Sequence, residues 1–151
     1  MRLLIQRVKN ARVDVEGRTV GQINQGLLVF IGVGEGASQE AVDWLVQKLS
    51  GLRIFPDKEG KMNLSVMDTG GQVLLVSQFT LHASTKKGYR PSFTRAAKPE
   101  EAQKWMQIFA RKLGEKIGQE KLSFGEFGAM MDVHLVNDGP VTIWLDSQDK
   151  Q

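Results

Sequence analysis

Two short stretches hold the side chains best suited to chemistry. Ser77-Gln78-Phe79-Thr80 puts two hydroxyls and an amide within four residues. Asn137-Asp138-Gly139-Pro140-Val141-Thr142 puts a Gly–Pro step among polar residues. Hydroxyls, amides and free backbone N–H groups suit acyl transfer, in which preorganised donors stabilise an oxyanion. Pro140 has no N–H and Gly139 has no side chain, so that step presents bare carbonyl oxygens on a stiff turn. A plain hairpin turn is the other reading of the same residues.

Other chemistries lack their residues. The chain has no cysteine, which removes disulfides, thiolate metal sites and cysteine nucleophiles together. Its two histidines are His82 and His134. A catalytic triad needs a histidine beside both a hydroxyl and a carboxylate. Thr80 and His82 would share one face if their strand ran on, so His82 is either a base for Thr80 or a partly exposed histidine. His134 lies in an apolar run and reads as a packing residue. Asp132 and Asp138 flank a strand, but nothing sets their separation. No three ligands converge on a metal. There is no GxxxxGK[ST] loop and no HExxH, and Gly32-Val33-Gly34-Glu35-Gly36 lacks GxGxxG spacing. Neither metal nor cofactor is expected.

The elements that must position these stretches follow from periodicity. Leu3, Ile5, Val8, Val13 and Val15 alternate in short strand-like runs, with a tight turn at Glu16-Gly17-Arg18. After a turn at Asn24-Gln25-Gly26, Leu27–Val33 is apolar on both faces and predicts a buried central strand. Ser38 caps a helix whose stripe is Ala41, Trp44, Leu45, Leu49 and Leu52. Gln72–Leu81 is the longest strand signal and ends in the polar stretch, where sites are commonly built. Pro99 opens a second helix with the stripe Ala102, Trp105, Met106, Phe109, Leu113 and Ile117, closed by Gly118. Two final strands, Met131–Val136 and Val141–Leu145, flank the Gly–Pro step. One helical crossover is clear. The fold class expected is α+β: a mixed, mostly antiparallel sheet or partial barrel with two packed helices.

At 151 residues the chain is one domain, read as 1–145 with a polar, frayed tail 146–151. Hydrophobic residues at 41% and charged residues at 25% are those of a globular protein. The longest apolar run has seven residues, far short of a membrane span. Without an export signal or cysteine, a cytoplasmic protein is expected. The net charge of +3 permits a polyanionic partner. Lys86, Lys87, Arg90 and Arg95 cluster around Gly88, Tyr89, Pro91 and Phe93. That loop is either merely solvated or contacts phosphates.

With these motifs the chain resembles the D-aminoacyl-tRNA deacylases over nearly its whole length. Gln6-Arg7-Val8 is similar to that family's first strand and Glu59-Gly60-Lys61-Met62-Asn63-Leu64 to one of its turns. Ser77-Gln78-Phe79-Thr80-Leu81 reproduces its SQFTL motif, Arg90-Pro91-Ser92-Phe93 its loop, and Asn137–Thr142 its Gly–Pro motif. The resemblance implies a barrel-like homodimer that hydrolyses the ester between a D-amino acid, or glycine, and the terminal adenosine of tRNA. It implies a cis Gly139–Pro140 step that enters the partner's pocket as a chiral filter, with Arg7 supporting it. By the same resemblance Ser77, Gln78, Phe79 and Thr80 form the pocket floor and Phe127 and Met131 lie near the adenine. Lys86, Lys87 and Arg90 suit tRNA phosphates. Two residues depart from the pattern: Tyr89 in the KGxRPSF loop, and Met130 where many relatives are polar.

Three functional readings follow. In the first, backbone donors stabilise the oxyanion and the substrate's own 2′-hydroxyl assists. In the second, Thr80 is a covalent nucleophile, which needs an adjacent base. In the third, the protein binds RNA without cleaving an ester, although few aromatic stacking platforms are available.

Overall fold

Apolar residues at alternate positions build one long first strand, β1 (Arg2–Val15), rather than several short ones. The computed structural model describes residues 1–151. The turn at Glu16-Gly17 leads into β2 (Arg18–Ile23), and β3 (Gly26–Gly32) follows as the buried central strand. Helix α1 (Gln39–Gly51) starts at Ser38, whose hydroxyl accepts the N–H of Ala41. A small hairpin of β4 (Phe55–Pro56) and β5 (Met62–Leu64) precedes α2 (Val66–Thr69), a single turn capped reciprocally by Ser65 and Asp68. Then come β6 (Gln72–Ser77), a 3₁₀ turn (Phe79–His82), helix α3 (Pro99–Ile117), β7 (Leu122–Phe124) and β8 (Asp132–Asp146).

The sheet order is β2-β1-β3-β6-β7, with β8 on the other edge of β1. β1 pairs antiparallel with β2, β3 and β8, while β3–β6 and β6–β7 are parallel. Parallel neighbours need crossovers, and α1 and α3 supply them. The single crossover expected is therefore two; the short β7 hid the second. The sheet curls until β2 meets β7 and forms a nearly closed barrel. There the Ser123 hydroxyl donates to the Gln22 carbonyl across 2.9 Å. Gly21 lets the strands touch: a Cβ there would lie 2.1 Å from the Phe124 carbonyl oxygen.

Two apolar layers cover the sheet. Leu3, Ile5, Leu27, Val29, Ile31, Val73 and Leu75 face α1 and α3. Val8, Ala11, Val13, Ile23, Leu28, Leu74 and Val76 fill the barrel. β1 changes layers where its pairing with β8 is irregular, between Gln6 and Asn10. No helix is long and apolar enough to cross a membrane.

The two expected C-terminal strands are one. β8 pairs with β1 from Asp132 to Asp146, so the Gly–Pro step is not a hairpin. Between the pairs Val8–Asn137 and Gln6–Thr142, β8 spends four residues, 138–141, against Arg7 alone. The chain bulges without reversing. Asp146, first residue of the expected tail, ends β8 and is buried; Arg2 Nε holds it at 2.9 Å.

Candidate active site

The strand signal over Gln72–Leu81 overran its strand. β6 ends at Ser77 because the chain turns immediately afterwards. The Gln78 N–H still donates to Ile31 across 2.8 Å, and the 3₁₀ turn then closes with Leu81 N–H on the Gln78 carbonyl. This puts Ser77, Gln78 and Phe79 at the carboxyl ends of the parallel pair β3–β6. They form one wall of a cavity of about 660 Å³. Phe30, Ile31 and Val33 come from β3 and its exit, Pro99, Ala102 and Met106 from the start of α3, and Phe127–Met131 from the segment before β8. Phe127 and Met131 thus line the same cavity as Ser77-Gln78-Phe79. Met130 stands at its rim, almost fully exposed. Phe93 meets Phe79 edge-to-face, with ring centroids 5.2 Å apart.

No residue lining this cavity is titratable. Thr80 does not line it. Its exposed hydroxyl accepts a hydrogen bond from Gln78 Nε2 at 2.5 Å. His82 is no base for it, since the expected common strand face does not exist. The histidine ring is buried against Gly34, with Nε2 3.1 Å from the Gly32 carbonyl, to which it donates. Burial lowers its pKa from the usual 6.5, against the opposing pull of the Gly32 bond. The ring is neutral at pH 7 and acts as a strut. His134 is exposed on β8, with Nε2 3.4 Å from Asp14 Oδ2.

Donors without intrahelical partners remain. The first N–H groups of any helical turn have none, and no side chain caps this one. Phe79, on the cavity wall, and Thr80, just outside it, occupy those positions.

Arg7, Gly139 and Pro140 form a second group, away from the cavity of the same chain. The Gly139–Pro140 peptide is cis, and both residues are exposed. Gly139 has φ +138°, and a Cβ there would press on Val141 at 2.9 Å and on Arg7 at 3.3 Å. Arg7 is buried and donates to two main-chain carbonyls, Asp138 at 2.9 Å and Ile54 at 2.5 Å. Lys86, Lys87 and Arg90 are all exposed, in a loop closed by mutual Ser84–Ser92 hydrogen bonds of 2.8 and 2.9 Å.

Sequence reasoning missed Phe30, Val33, Phe93, Pro99 and Met106. They are apolar residues at ordinary strand, loop and helix positions, and nothing in their pattern separates cavity wall from core. It also missed Arg2, whose Nη1 donates to the Leu81 carbonyl across 2.8 Å and ties the site turn to Asp146. A basic residue at the start of a strand gives no signal of that reach.

A family model described as D-Tyr-tRNA(Tyr) deacylase matches residues 4–146. The D-aminoacyl-tRNA deacylase of Thermotoga petrophila is 55% identical over 147 residues, covering 97% of each chain. Those of Bacteroides thetaiotaomicron and Akkermansia muciniphila are 48% and 50% identical over the full length of both chains. The solved structure of the c-Myc DNA Unwinding Element Binding Protein superposes with a TM-score of 0.93 at 39% identity, covering 97% and 98% of the two chains. That of a probable eukaryotic D-amino acid tRNA deacylase gives 0.80 at 16%, covering 95% and 97%, a likeness of fold. The chain belongs to the D-Tyr-tRNA(Tyr) deacylase family of aminoacyl-tRNA ester hydrolases.

Proposed function

We propose that this protein hydrolyses the ester between a D-amino acid, or glycine, and the terminal adenosine of tRNA. One observation carries the mechanism: the cavity that holds the Ser77-Gln78-Phe79 wall has no ionisable lining. An aminoacyl ester is already activated, so placing water and stabilising an oxyanion is enough. Water adds to the acyl carbon, the carbonyl oxygen turns toward the free N–H groups at Phe79 and Thr80, and the C–O bond to the ribose breaks. The vicinal 2′-hydroxyl of the substrate assists proton transfer to the departing ribose oxygen. Phe127 and Met131 flank the adenine. Thr80 as nucleophile is disfavoured, because His82, the base nearest to it in sequence, has its ring buried against Gly34 and its Nε2–H committed to the Gly32 carbonyl.

Chiral choice comes from a second copy in a homodimer. Gly139 and Pro140 protrude from β8 and are supported from behind by Arg7. Inserted into the partner's cavity, their carbonyl oxygens leave no space for an L side chain, a wall that no side-chain substitution erodes. Lys86, Lys87 and Arg90 contact phosphates. The work is proofreading for translation, in the cytoplasm.

The test is ester hydrolysis on matched D-Tyr-tRNA and L-Tyr-tRNA, with glycyl-tRNA as a third substrate. Loss of the D and glycyl esters with the L ester spared is expected. Cleavage of neither tyrosyl ester would leave a binding protein. Cleavage of both would leave an esterase without a filter. Sedimentation that finds a fully active monomer at micromolar concentration would remove the cross-subunit filter.

A further inference from the structure

The charge of this chain is unevenly placed. Residues 69–99 contain Lys86, Lys87, Arg90, Arg95 and Lys98 and no acidic residue. The rest of the chain holds the other 15 basic residues against all 17 acidic ones. The whole positive excess therefore sits on the segment that runs from β6 through the site turn to α3. At its outermost point is Tyr89, an aromatic ring fully open to water, 105% exposed, and the only tyrosine in the chain. No hydrogen bond, ring contact or apolar cluster involves it. Folding gains nothing from such a ring, since a large apolar surface left wet forgoes its burial energy.

The loop's base is firm, although its tip is free. Ser84 and Ser92 bond each other, Glu35 N–H donates to Arg95 at 3.0 Å, and Ala97 N–H donates to Val33 at 2.9 Å. Phe93 and Ala96 line the cavity. Tyr89 is four residues from Phe93, so it stands at most about 14 Å from the cavity rim. With the terminal adenosine in the cavity, an exit of the preceding unpaired nucleotides over the Phe93 side of the rim carries them past Tyr89.

We infer that Tyr89 is a stacking platform for a base of the single-stranded 3′ end of the tRNA, just before the terminal adenosine, held there by Lys86, Lys87 and Arg90 on the flanking phosphates. This rests on the deacylase reading above and adds a recognition residue to it. An aromatic face flanked by cations, on a segment that carries no acid from residue 69 to 99, matches unpaired nucleic acid, whose every base has a face and every link a negative charge. It does not match an acidic peptide, which offers charge without regular flat rings.

Because Tyr89 is unique, 3-fluorotyrosine incorporation yields one ¹⁹F signal. That signal should shift and broaden on adding an uncharged ACCA ribonucleotide, and much less with the same strand made abasic. In kinetics, Tyr89→Ala should raise KM for D-aminoacyl-tRNA about tenfold with kcat nearly kept, and Tyr89→Phe should restore it. On D-tyrosyl-adenosine, which lacks the preceding nucleotides, Tyr89→Ala should change kcat/KM less than twofold. An unmoved ¹⁹F signal, an equal shift with the abasic strand, or equal losses on tRNA and on the adenosine fragment would each overturn the inference. The ¹⁹F arm uses uncharged RNA, so it stands even if the protein hydrolyses no ester.

Discussion

Arg7 and Asp138 meet across β1 and β8 where four residues face one. Arg7 Nε donates to the Asp138 carbonyl at 2.9 Å, and its Nη1 donates to Ile54 at 2.5 Å. The Asp138 carboxylate lies 3.5 Å from the same Nε. Arg7 continues the inward phase set by Leu3 and Ile5, so a cation points into an apolar strand's buried side. It is tolerated because the planar fork finds acceptors on two separate segments. One side chain thus ties the Gly139–Pro140 bulge to the hairpin beside α1.

Arg7→Lys should therefore injure specificity more than turnover. Lysine cannot reach both carbonyls, and an unpaired buried carbonyl costs about 2 kcal/mol, roughly 4–8 °C in Tm. The ratio of kcat/KM on D-Tyr-tRNA to that on L-Tyr-tRNA should fall at least about tenfold. An unchanged ratio in the variant would separate Arg7 from chiral choice.

Thr80→Val removes the hydroxyl and keeps the shape. Under the proposed mechanism, in which backbone N–H groups stabilise the oxyanion, activity on D-Tyr-tRNA should stay within about tenfold of the parent. Loss beyond about a thousandfold, with tRNA binding intact, would return Thr80 to the role of nucleophile.

His82 makes stability depend on pH. Burial holds its folded pKa below the unfolded 6.5, so below that pH the unfolded chain binds more protons. The contribution is complete above about pH 6.5 and is lost as pH falls through the folded value. The urea midpoint should drop between pH 7.5 and 5.5, and His82→Gln should drop less over the same range. The Met1 ammonium, also lowered by burial from 8.0, acts in the same sense, so the difference between the two proteins isolates His82. Parallel losses in both would exclude His82 as the cause.

Gly21→Ala tests barrel closure. The added methyl would meet Leu74 Cδ1 at 3.1 Å and, decisively, the Phe124 carbonyl oxygen at 2.1 Å, which as backbone cannot swing aside. A cost of at least about 3 kcal/mol is expected, read as a fall in Tm of roughly 6–12 °C. A variant as stable as the parent would mean that β2 and β7 do not touch in solution.

Much of this was legible in the chain itself. Ser38 and Pro99 marked both long helices because caps and first turns use local chemistry. The apolar run at Leu27 named the central strand because burial on both faces leaves no alternation. The stretch Ser77–Thr80 was found because four polar or aromatic groups at the end of a buried strand have no packing role.

The rest needed the folded chain. Periodicity could not show that Ser77 ends its strand, since Thr80 and His82 remain in phase on paper. Only the turn separates them and sends the histidine under Gly34. Composition gave Gly139–Pro140 the look of a hairpin; pairing with β1 made it a bulge, because β8 had a continuous partner on both sides of it. The sequence by itself determined the two long helices, the central strand, the family and the polar stretch, all of which rest on motifs or neighbours a few residues apart. The tertiary structure alone decided the cavity wall, Arg2 on Leu81 and Arg7 on Asp138. Those contacts join residues 79 and 131 positions apart, and no local pattern encodes such distances.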